Sequence, residues 1–271
     1  MALPKRGLAL LLGLFSTGSA RAEVESRVVE YRQGDTVLEG FLAYDAKGPP
    51  RKPGVLVVHD WTGVGPYVKK RAEQLAAMGY VAFAADIYGK GVRPKDPKEA
   101  SATASIYRKD RQLLRARVVA ALDELRRQPN VIPGQIAAIG FCFGGTTVLE
   151  LARSGADVVG VVSFHGGLDS PTPADGKNIK GKVLLLHGAD DPFVPDAQVK
   201  ALEDELRGAG VDWQLVKYGG AVHSFTIPDA GNDNSKGAAY NASADRRSWR
   251  AMEDFFAEVF VAGGKPPPRP P

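Results

Sequence analysis

The chain has a single cysteine, Cys142, among its 271 residues. An internal disulfide is therefore excluded, and any thiol chemistry falls on one sulfur. Long apolar runs are also lacking. Gly7 to Phe15 is too short to span a bilayer, and no later segment approaches that length. Excess charge is missing as well. Of the formal +4, residues 1–22 supply three positive charges (Lys5, Arg6, Arg21) and no negative one, so the remainder carries +1. That balance gives no ground for nucleic-acid binding and points to a small-molecule partner. No internal repeat or change of composition marks a linker, and about 250 residues can bury one sizeable core or two small ones.

The N-terminus has the order of an export signal. Lys5-Arg6 is a basic start, Gly7 to Phe15 an apolar stretch, and Ala20-Arg21-Ala22 a small-residue cleavage site. Residues 1–22 are expected to be a signal peptide. The product is expected to be exported, periplasmic or secreted, with one domain over 23–262. The tail 263–271, Gly-Gly-Lys-Pro-Pro-Pro-Arg-Pro-Pro, is expected to be disordered.

Between these ends, apolar strands alternate with amphipathic helices. Val28 to Tyr31 and Thr36 to Tyr44 flank a Gly34-Asp35 turn and predict an edge hairpin. Gly54–Val58, Val81–Ala85, Ile136–Ile139, Val158–Val162, Lys182–Leu186 and Trp213–Tyr218 predict further strands. Helices are predicted over Pro66–Met78, as one long element within Glu99–Arg127, and over Thr146–Arg153, Asp196–Arg207 and Arg246–Val261. Continuously apolar strands separated by helices define an α/β fold, a mostly parallel central sheet with helices on both faces. The carboxyl ends of such strands are where a site forms. Here they carry His59-Asp60-Trp61, Cys142, His187 with Asp190-Asp191, and His223.

Cys142 lies in Gly140-Phe-Cys142-Phe-Gly144-Gly145, between an apolar strand and a helical pattern. The flanking glycines permit a sharp turn. A thiol there meets the positive N-terminus of a helix, which favours the thiolate, the reactive form. Serine is the usual occupant of such an elbow. The order Cys142, an aspartate, His223 is the nucleophile–acid–base order of α/β-hydrolases. Thiolate attack on a carbonyl needs a base or cation beside the sulfur and a carboxylate to orient it. Asp190 and Asp191 both qualify by position. The oxyanion of a tetrahedral intermediate would be held by the backbone amides of Phe143 and Trp61. His59, His165 and His187 also sit at strand ends. Their spacing specifies no metal site, and they read as hydrogen-bonded structural residues. The chemistry calls for no cofactor.

At these residues the chain resembles the dienelactone hydrolase family of α/β-hydrolases, over roughly Val55 to Phe260. Cysteine in the elbow Gly140-Phe-Cys142-Phe-Gly-Gly typifies that family. Leu186-His-Gly-Ala-Asp-Asp191-Pro-Phe-Val-Pro195 resembles its acid loop, Ala221-Val-His223-Ser-Phe225 its histidine loop, and Asp86-Ile-Tyr-Gly-Lys90 its Asp-Leu-Tyr element. The resemblance selects Asp191 as the acid. It implies a Cys142-His223-Asp191 triad, an acyl-enzyme, and an ester or lactone as the small-molecule substrate. It also marks departures. Asp60 stands where the prototype has a glutamate that modulates the thiol. Lys90 and Ile227 stand where it has two arginines around a substrate carboxylate, and Arg93 is a candidate replacement. Loss of a bidentate fork at Lys90 and of all charge at Ile227 argues against a carboxylate-bearing lactone.

Two other readings share the fold. One is a non-catalytic ligand-binding module with Cys142 as an oxidisable thiol; the other is a thioester or peptide hydrolase. Against the first, a sensor needs neither Asp191 nor His223. The long segment Thr226 to Ala244, rich in Asp, Asn and Gly, reads as a lid or a solvated excursion. Its Asp229 and Asp233 lack the ordered spacing of a calcium loop. The sequence assigns no oligomeric state.

Overall fold

The computed structural model describes residues 22–260. The expected signal segment, apart from Ala22, and the proline-rich tail lie outside the described residues. The strands are β1 (Val24–Gln33), β2 (Thr36–Asp45), β3 (Lys52–Val58), β4 (Val81–Ala85), β5 (Val131–Phe141), β6 (Gly160–Phe164), β7 (Lys182–Gly188) and β8 (Trp213–Tyr218). They form one sheet in the order β1-β2-β4-β3-β5-β6-β7-β8. The β1–β2 hairpin turns at Gly34, φ 55°, and joins β4 antiparallel through Phe41 opposite Ala84. The other six strands run parallel.

Alternation along the strands feeds two cores. Leu56 and Val58 face one side with α3 (Arg111–Arg127), α4 (Phe143–Arg153) and α5 (Asp196–Gly208). Val55 and Val57 face the other with α1 (Pro66–Ala77) and α6 (Ala242–Val259). Both faces of the inner strands are apolar because both are covered. Among the described residues no helix is long and apolar enough to cross a membrane.

The expected single helix within Glu99–Arg127 is two helices, α2 (Pro97–Lys109) and α3. Asp110 makes the break. At φ −110°, ψ 86° it leaves helical geometry, and its carboxylate accepts from the Leu113 amide at 2.9 Å. An aspartate competes for backbone donors in this way and so starts helices more readily than it continues them. Likewise α6 begins at Ala242, before the expected Arg246, because Asn241 accepts from the Ser243 and Ala244 amides.

Candidate active site

Strand β5 ends at Phe141 and α4 starts at Phe143, leaving Cys142 alone to turn the chain, at φ 53° and ψ −112°. Few non-glycine residues adopt positive φ. The turn is tight enough that two glycines are obligatory. A Cβ on Gly140 would lie 2.0 Å from the Gly144 carbonyl oxygen, and one on Gly144 would lie 2.2 Å from the Val58 carbonyl oxygen. The G-x-C-x-G spacing is thus a packing requirement of the elbow.

The elbow brings Cys142 to residues from two distant loops. His223 Nε2 is 3.1 Å from Cys142 Sγ, and His223 Nδ1 is 2.7 Å from Asp191 Oδ2. Asp191 is fixed in turn by the Phe193 amide, which donates to Oδ1 at 2.9 Å. Asp190 points elsewhere: its Oδ2 accepts from the Gly220 amide. The Asp191 side chain is fully buried and that of His223 is 12% exposed. Burial alone would push the His223 pKa down. Negative charge at Cys142 and the hydrogen bond and charge of Asp191 override it and raise the pKa to about 10. A protonated His223 donates from both ring nitrogens, to Asp191 on one side and to sulfur on the other.

The amides of Phe143 and Trp61 have no acceptor among the described residues. Phe143 is the first residue of α4, so its amide is one of the helix's unpaired donors. The peptide that carries the Trp61 amide is held through its carbonyl, Asp60 O, which accepts from His59 Nδ1, and the next carbonyl, Trp61 O, accepts from Tyr88 Oη at 3.1 Å. Asp60 is buried beside it, with Oδ1 accepting from the amide and hydroxyl of Thr62. Among the described residues it makes no hydrogen bond to Cys142.

The other expected contributors separate. Lys90 pairs with Glu30 on β1, four strands from β5, and is about half exposed. At about 4.8 Å per strand the two strands lie roughly 19 Å apart. Arg93 lies against the loop after Trp61, donating to the Val64 carbonyl at 3.1 Å and the Val92 carbonyl at 2.7 Å, with Asp86 and Glu39 nearby. Its guanidinium is committed to protein groups. Ile227 is half-buried, its amide donating to the Ser224 carbonyl.

The segment after His223 is anchored to the site at both ends, while residues 231–236 between the anchors are exposed. The His223 amide donates to Gly237, its carbonyl accepts from Ala239, and Asn241 donates to Phe225. Gly237 lies under Pro192 and Phe193 of the acid loop. Asp233 caps a turn through the Ser235 amide and hydroxyl. The remaining histidines differ from one another. His59 donates from Nδ1 to the Asp60 carbonyl and accepts the Ile87 amide at Nε2. His187 is buried with no partner for Nδ1 among the described residues. His165 touches Cys142 itself: its Nδ1 faces the Cys142 amide at 3.2 Å. Phe193, 58% exposed, sets its ring edge-on to His223 at 5.6 Å. Neither of these last two contacts was legible from motif spacing, although Phe193 stands two residues after Asp191 in the acid loop.

A mostly parallel sheet with a strained strand-to-helix elbow at Cys142, and with an aspartate and a histidine from later loops, is the α/β-hydrolase fold. The model of the dienelactone hydrolase family matches residues 38–260, and the chain belongs to that family of hydrolases. It is similar to the crystal structure of a dienelactone hydrolase-like promiscuous phosphotriesterase from metagenomic libraries. The identity is 44% over 87% of this chain and 98% of that one, with a TM-score of 0.83. A Synechocystis protein named "Putative carboxymethylenebutenolidase" is 26% identical over 86% of this chain and 97% of its own. The Anabaena variabilis dienelactone hydrolase, 24% identical over 84% of this chain and 97% of that one, shares the fold at a TM-score of 0.62.

Proposed function

We propose that this protein hydrolyses carboxylic esters or lactones through a cysteine acyl-enzyme. The observation that carries this reading is the unbroken line Cys142 Sγ, His223, Asp191, with separations of 3.1 and 2.7 Å. The Cys142 thiolate attacks the carbonyl carbon, and the carbonyl oxygen takes up negative charge. The amides of Phe143 and Trp61 receive it. Collapse breaks the bond to the leaving alkoxide, which takes the Nε2 proton of His223. Neutral His223 then accepts a proton from water as it attacks the thioester, and the acid leaves with the thiolate restored. Asp191 holds the imidazole and stabilises its charged form throughout. Asp60 acts on the thiol through its charge and through the Thr62 turn that shapes the Trp61 peptide.

The test is turnover of p-nitrophenyl acetate. Release of p-nitrophenol beyond the first equivalent, with a transient acetyl mass on Cys142, is expected. No turnover of any ester or lactone would overturn the reading. The metagenomic relative supports a second activity on phosphotriesters. The same thiolate would attack phosphorus, and cleavage of a p-nitrophenyl dialkyl phosphate, lost in Cys142→Ala, is the check. The N-terminal Lys5-to-Ala22 segment supports export, tested by whether the protein recovered from the periplasm or medium begins at Glu23.

A further inference from the structure

We propose that His165 is a positioning residue that ties the backbone of Cys142, through Thr226, to the loop carrying His223. The proposal rests on the cysteine-hydrolase reading above. His165 follows β6 and is fully buried. An amide only donates, so the contact of the Cys142 N–H with Nδ1, at 3.2 Å, makes Nδ1 an acceptor. The ring proton then sits on Nε2, which donates to Thr226 Oγ1 at 2.7 Å. Thr226 lies three residues beyond His223. Its hydroxyl shares a 2.7 Å hydrogen bond with Tyr67 Oη, and its carbonyl accepts from Arg71 Nη2 at 3.2 Å. Arg71 also donates to Tyr67 Oη and to Asp245 Oδ1, at 3.2 and 2.6 Å. A chain of polar groups, buried at His165, Thr226 and Arg71 and half-buried at Tyr67 and Asp245, thus runs from the elbow to α1 and α6.

The backbone gives this chain its purpose. Among the described residues only three non-glycine positions have positive φ: Cys142 at 53°, His165 at 39° and Ser224 at 58°. Such strain persists only where the surroundings over-determine it. Cys142 and His165 touch, and Ser224 stands between His223 and Thr226, so the strained positions lie at the two ends of one link. The Cys142 amide also donates to the Phe164 carbonyl at 3.0 Å, so the elbow is held from two directions. A ring that only filled space would need neither a fixed tautomer nor two polar partners. The groups around His165 keep it neutral. Burial pushes its pKa well below the usual histidine range, and charge on His223, Arg71 and His187 pushes the same way. A neutral ring keeps Nδ1 free to accept.

Three variants test the link. His165→Phe keeps a ring and removes both polar contacts. His165→Asn restores an acceptor near the Nδ1 position and tolerates positive φ. Thr226→Val cuts the chain beyond the ring. Misplacing the nucleophile should lower kcat of His165→Phe by about 100-fold with little change in KM. The alkaline fall of the pH profile should move down from about 10, because sulfur no longer supports the His223 charge. His165→Asn should recover part of both effects, and Thr226→Val should show both in weaker form. A folded His165→Phe enzyme with wild-type kcat and pH profile would overturn the proposal, as would His165→Asn no better than Phe. If His165→Phe does not fold, unchanged kcat in both other variants overturns it. Iodoacetamide labelling separates this result from the function itself, since Cys142 is the only cysteine. Labelling at neutral pH should slow about tenfold in His165→Phe as the sulfur leaves its cationic partner. An unchanged labelling rate would refute the link even in a protein that turns over no ester.

Discussion

His223 Nε2 stands 3.1 Å from Cys142 Sγ, although 81 positions separate the two in the chain. Loops at the carboxyl ends of β5, β7 and β8 converge there, and the proposed hydrolysis makes the sulfur its nucleophile. Cys142→Ala is expected to lower kcat for p-nitrophenyl acetate by about 10⁴-fold or more, leaving a residue of catalysis from binding and the oxyanion amides. Circular dichroism should be unchanged, since alanine fits the elbow. Cys142→Ser should be nearly as poor, because a hydroxyl needs stronger base assistance than a thiol.

The two adjacent aspartates are expected to behave oppositely. Asp191 contacts His223 Nδ1, whereas Asp190 accepts from Gly220. Asp191→Asn keeps the shape and removes the charge that stabilises imidazolium. A fall in kcat of about 10² to 10⁴-fold is expected, below the serine-triad limit because the sulfur already supports the same cation. Asp190→Asn should cost less than about threefold. A larger loss in Asp190→Asn would transfer the acid role.

The His223 pKa near 10 fixes a pH dependence. Burial lowers it, and charge at Cys142 with the Asp191 contact raises it by more. A raised pKa means the proton is held through neutrality and lost only in alkali. In the proposed mechanism the leaving alkoxide takes the Nε2 proton, so kcat/KM should stay high through neutral pH and fall near 10. An ordinary histidine would place that fall near about 6.5. A profile of kcat/KM against pH at constant ionic strength reads the difference.

Away from the site, Arg153 is buried with Glu150 and Glu205 behind α4. Its Nη1 donates to Glu150 at 3.0 Å, while Nε and Nη2 form a fork to Glu205 at 2.8 Å each. Glu205→Gln leaves a buried guanidinium short of charge. A loss of about 3 kcal/mol is expected from urea unfolding. Activity per folded molecule should be retained, because none of the three side chains touches Cys142, His223 or Asp191.

These features differ in how far the sequence discloses them. The strand-to-glycine-to-cysteine pattern and the doubly apolar strands are local or periodic, and both are present in the structure, whereas the choice of Asp191 over Asp190 came from the resemblance of the acid loop and not from spacing. The break at Asp110 was hidden because the apolar face continues across it. The pairing of Lys90 with Glu30 depends on which strand lies at the sheet edge, and that is a matter of topology. The contact of His165 with the Cys142 amide depends on a positive φ, which no residue type announces at a histidine. The segment after His223 is exposed over residues 231–236, in keeping with its composition, but its anchors were hidden. Its backbone pairing with His223 and the seat of Gly237 under Phe193 are long-range contacts that composition does not encode.

On the proposed reading, the surroundings of Cys142 and His223 bear on which esters should be preferred. Ile227, four residues after His223, is apolar and half-buried. Lys90 is drawn to Glu30, and Arg93 is spent on the Val64 and Val92 carbonyls with Asp86 and Glu39 beside it. Phe193 adds an exposed aromatic face next to His223. A substrate carboxylate would lose water without gaining a cation, which is costly. For a matched pair, one ester with a free carboxylate and one with that group methylated, kcat/KM should favour the methylated form by about tenfold, equivalent to about 1.4 kcal/mol of transition-state stabilisation. Lys90→Met should leave the ratio unchanged. A clear preference for the free acid, abolished by Lys90→Met or Arg93→Met, would instead show that one of these cations turns into the cleft when substrate binds.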